Sequence, residues 1–177
     1  MKYFIYFIAC LLLVSLQIGL FGLLPIRGVA PDLLLLFVVG CCLQPEADDS
    51  FIVAFFAGLF LDFLNGFFVG SFTFGFLSLA LLLSITIHRL VVFELSWKYL
   101  LTATAAATIF VDVWVVLANA IGFHYGWSVV AINWQVLQRH VPLEIVYNLV
   151  LAYPMYALAT WLRNLILSLQ GKKHRII

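Results

Sequence analysis

Two carboxylates, Asp62 and Asp112, stand inside long apolar runs of this chain. An acid at the centre of a membrane helix costs about 2.5–3.5 kcal/mol on insertion scales, so each needs a partner that offsets the cost and should face protein rather than lipid. Such acids can handle protons or ions, or form a catalytic pair. They can also do no chemistry and serve as hydrogen-bonded clamps between helices. A catalytic pair needs polar neighbours that hold water, and Phe110-Val111-Asp112-Val113-Trp114 has none. Serine chemistry is no better served. The chain has no G-x-S-x-G elbow, and no histidine falls inside the last apolar segment. No catalytic residue is assigned.

The surroundings of Asp62 favour the clamp. Ala54, Gly58, Asp62, Gly66 and Gly70 recur every four residues, which over the first part makes one helical stripe of small side chains. Small side chains let helix backbones approach closely. Asp62 is therefore expected on a packed face, bonded to a neighbouring helix end or to turn amides. Asp112 shares a face with Thr104 and Thr108, and Ala103 and Ala107 add a small-residue step beside it. That seam suits packing between helices of the bundle, contact with a membrane partner, or ion handling. Glu144 and Asn148 lie one turn apart at the start of the last helix, where the helix dipole favours an acid. His88, His124, His140 and His174 show no ligand spacing, so no metal site is expected. Cys10, Cys41 and Cys42 read as small apolar packing residues.

The elements that position these residues follow from composition. Of 177 residues 66% are apolar and only 10% charged, against roughly 25% charged in a soluble domain. Mean hydropathy is +1.16. This excludes a soluble globular domain, a disordered chain and a nucleic-acid binder. What remains is an all-α integral membrane protein, one polytopic domain over residues 1–177 with about six transmembrane helices. These are expected near 3–26, 31–44, 51–65, 71–87, 99–121 and 142–162, with a basic tail over 163–177. Pro31 and Asp32 suit the start of the second helix. That helix is too short to cross an ordinary bilayer comfortably. It must thin the membrane, pack behind longer neighbours, or form a re-entrant pair with the third helix, which would leave four full crossings. The segment 122–141 reads as a connection at headgroup level, and Pro154 should kink the last helix. With six crossings and both termini in the cytoplasm, Lys2, Arg89, Lys98, Arg163, Lys172, Lys173 and Arg175 lie inside, and only Arg27 and Arg139 outside.

The segment Ala30-Pro31-Asp32-Leu33-Leu34-Leu35-Leu36, followed by Gly58-Leu59-Phe60-Leu61-Asp62-Phe63-Leu64-Asn65-Gly66-Phe67-Phe68-Val69-Gly70, resembles the rod shape-determining protein MreD family. That family carries a P-D-L-L-L-type segment and a G-L-x-x-D-x-x-x-G-x-x-x-G core. The motif covers about residues 30–75. Beyond it the likeness rests on hydropathy, and Phe68 stands where many relatives have proline. The resemblance implies a non-enzymatic component of the bacterial inner membrane, without cofactor or small-molecule substrate. Its partners would be MreC and, directly or indirectly, MreB, RodA and the transpeptidase paired with RodA. Pro31, Asp32, Gly58, Asp62, Gly66 and Gly70 would be its motif residues. The family fold is similar to the substrate-binding subunits of energy-coupling-factor transporters. That similarity supplies an alternative function, a vitamin-binding transporter subunit.

Overall fold

The computed structural model describes residues 2–21, 29–44, 49–65, 70–90, 97–126 and 134–170. Gly66, the acidic turn at 45–48 and the tail beyond 170 lie outside them. Among the described residues six α-helices follow in chain order: α1 (Lys2–Leu16), α2 (Leu33–Cys42), α3 (Ser50–Asn65), α4 (Ser71–Leu90), α5 (Trp97–His124) and α6 (Trp134–Leu169). A π-helical turn, Gln17–Phe21, extends α1. Three stretches, Lys2–Gly19, Trp97–His124 and His140–Leu169, are long and apolar enough to cross a membrane. The chain is an all-helical membrane protein.

α2 is the pivot of the packing. Its ten residues, LLLLFVVGCC, are apolar on every side, and all ten are buried. A helix with no polar face must be enclosed by protein or lipid, and here protein does it. α6, α3, α4, α5 and α1 all pack against α2. Its length of about 15 Å is half a hydrocarbon core. Gly40 makes the closest approach, where a Cβ would stand 3.2 Å from the Ala159 Cβ of α6. All three cysteines are buried and unpaired, with Cys41 and Cys42 at the end of α2 and Cys10 on α1. At this end the Lys2 ammonium pairs with Asp49 at 2.6 Å, joining the starts of α1 and α3.

Several boundaries differ from the sequence expectation. The described part of the first helix gives way to the π turn at Gln17 rather than continuing as α-helix. α4 runs on to Leu90, three residues past its expected end at 87. The largest change is in α6. Residues 134–141, expected as a connection at headgroup level, are its first turns, and both Pro142 and Pro154 lie inside the helix. A proline frees one carbonyl and removes one amide donor. Neither loss stops this helix, because the sequence from Trp134 to Val141 holds no other breaker. Proline at 142 was read as a helix start, and that reading hid the turns before it.

The enclosure of α2 gives a direct test. Gly40→Leu has no space to enter and should lower stability by about 1–3 kcal/mol, read as an earlier loss of helicity when the detergent-purified protein is titrated with SDS.

Candidate functional site

α4 begins at Ser71, preceded by Gly70 at φ +104°. That backbone conformation favours glycine. Gly70 occupies the capping position, since its carbonyl accepts the Phe74 amide at 2.8 Å. Having no side chain, it cannot cap the amides of the first turn, which a helix leaves without internal partners. Asp62 of α3 does so instead. Its Oδ1 accepts the Phe72 amide at 2.8 Å, and its Oδ2 accepts the Thr73 amide at 3.1 Å and the Thr73 hydroxyl at 2.5 Å. Asp62 is only 2% exposed. One turn earlier on the same face, Gly58 lets the two backbones touch. A Cβ there would lie 2.7 Å from the Thr73 nitrogen and 2.8 Å from the Phe72 oxygen, inside any tolerable contact. The spacing G-x-x-x-D is thus a dock: glycine admits the helix start and aspartate binds it. Ala54, another turn back, is fully buried.

α5 secures the other side of this turn. The Trp114 indole donates to the Ser71 carbonyl at 3.0 Å. Its ring stacks on Phe74 with centroids 6.3 Å apart. Gly75 makes room for it, since a Cβ there would stand 2.7 Å from the Trp114 ring. The sequence reading overlooked both residues. The available signal was a lone glycine inside a helical run.

The start of α2 is built on the same rule. Asp32 caps it, its carboxylate accepting the Leu35 amide at 3.0 Å. The Leu33 amide donates to Gln17 Oε1 at 3.1 Å, and the Asp32 amide to Asn148 Oδ1 at 3.0 Å. Pro31, also buried, brings no amide to satisfy. Asn148 is fully buried and spends its amide group on Thr108 Oγ1 of α5 at 3.0 Å. Gln17 and Asn148 therefore hold α2 between α1 and α6, and Asn148 ties both to α5. Sequence spacing placed Asn148 beside Glu144 but gave no sign of a bond across 116 residues.

Asp112 lies one turn beyond Thr108 and Glu144 one turn before Asn148, so both belong to this polar layer. Asp32, whose amide bonds Asn148, is the third acid of the layer. Among the described residues none pairs with a lysine or arginine, and Asp112 Oδ2 is buried without a hydrogen-bond partner. No three His, Cys, Asp or Glu side chains among the described residues converge to hold a metal ion. Ala103 and Ala107 are buried inside the bundle, 8% and 1% exposed. On the opposite side of α5, Ala106, Ile109, Phe110, Val113, Trp114 and Leu117 line a shallow apolar hollow open to the surroundings.

The helices and their polar layer define a membrane-embedded bundle whose buried acids hold helix starts. Comparison with protein-family models, curated proteins and solved structures finds no match.

Three pairs of substitutions should separate the parts of this layer. Asp62→Ala removes the carboxylate from two part-buried amides, each bond worth about 1–3 kcal/mol, and should destabilise the purified protein more than Thr73→Ala. Gly58→Ala should cost about 1–3 kcal/mol through backbone contact. Gly19→Ala, where a Cβ meets nothing within 4 Å, should stay within about 0.5 kcal/mol. Asn148→Leu, which removes both an acceptor and a donor, should cost more than Thr108→Val. Unfolding in SDS reads all of them.

Proposed function

We propose that this protein is an MreD-type scaffold of the bacterial inner membrane: a six-crossing bundle, with the fold of energy-coupling-factor substrate-binding subunits, that recruits MreC. Through MreC it would help couple peptidoglycan synthesis to the MreB cytoskeleton in the rod complex. The observation that carries the reading is the use made of the motif. Gly58, Asp62 and Gly70 act together on one helix start, and Asp32 caps another. Residues employed in this way build a defined shape. A protein that works by presenting a shape within the bilayer requires no more of them.

A single-pass partner helix would lie against an outward face, because Ala103 and Ala107 are used inside the bundle. Association would rest on van der Waals contact and interhelical hydrogen bonds, since lipid removes the hydrophobic driving force between helices. RodA and its transpeptidase would join through the same assembly.

The test pairs purification with physiology. The protein should co-purify with MreC from detergent and restore rod shape to cells that lack their own MreD. A tightly retained small molecule together with an associated ATPase module would overturn the scaffold reading in favour of a transporter subunit. Asp62→Asn separates architecture from chemistry. It should weaken folding and cell elongation together. A variant that folds and binds MreC normally yet fails to support elongation would show that the carboxylate does more than cap α4.

A further inference from the structure

We draw no further inference here: the strongest candidate, the group of three acids formed by Asp32 at the start of α2, Asp112 on α5 and Glu144 on α6, carries nothing because it is an acidic cluster whose one buried oxygen without a partner among the described residues, on Asp112, belongs to an only partly buried side chain, with no second observation pointing to a ligand.

Discussion

A helix start enclosed by other helices faces a difficulty that an exposed one does not. Its first amides have no internal partner, and a buried amide without one is costly. The starts of α2 and α4 are of this kind. Each is satisfied by side chains from other helices: Gln17 and Asn148 for α2, Asp62 for α4. Asp32 adds the local cap. The arrangement of the bundle follows from this need. α3 must run beside the beginning of α4, and α2 must begin where α1 and α6 can both reach it. A helix start capped in this way is fixed in position and direction more tightly than apolar packing alone would fix it.

The two starts lie at similar depth. Fifteen residues separate Lys2 from Gln17 along the helical α1 segment, a rise of about 22 Å, and twelve separate Ser50 from Asp62 along α3, about 18 Å. Both distances are measured from the end where Lys2 meets Asp49. The polar groups therefore gather in one layer, with apolar packing between it and the charged pair. Below the layer α2 has hydrophobic neighbours on every side, and Gly40 against Ala159 sets its distance from α6. Gln44 closes its far end, donating to Thr160 of α6 at 2.8 Å. α2 is thus attached to α6 at both ends, at Asn148 and at Thr160.

Much of this was legible where the cause was local. Composition located six helices, because apolar runs stand out between the prolines, glycines and charged residues that interrupt them, although only three of the six are long enough to span. A four-residue spacing of small residues placed Asp62 on a packed face, since that spacing is the geometry of one helix side. The choice of Phe72 and Thr73 as its partners depends on how α3 and α4 lie together, which no spacing encodes. Gln17 and Asn148 were harder. Each bonds a backbone amide, which has no sequence signature, and Asn148 does so across 116 residues. The beginning of α6 was missed for a different reason. Proline is common at the first position of a helix and costly within one, so Pro142 pointed the wrong way.

The two acids that first drew notice differ in what their surroundings ask of them. Asp62 accepts three hydrogen bonds with two oxygens, all donated by one helix turn. Bonds of that kind offset the cost of placing an acid in a membrane. Its geometry is complete without any other molecule. Among the described residues Asp112 has no comparable set of donors, and its Oδ2 is buried without a hydrogen-bond partner. An acid buried in a membrane is thus not one kind of feature. The donors around it decide whether it is a structural joint, and the three that meet Asp62 make it one.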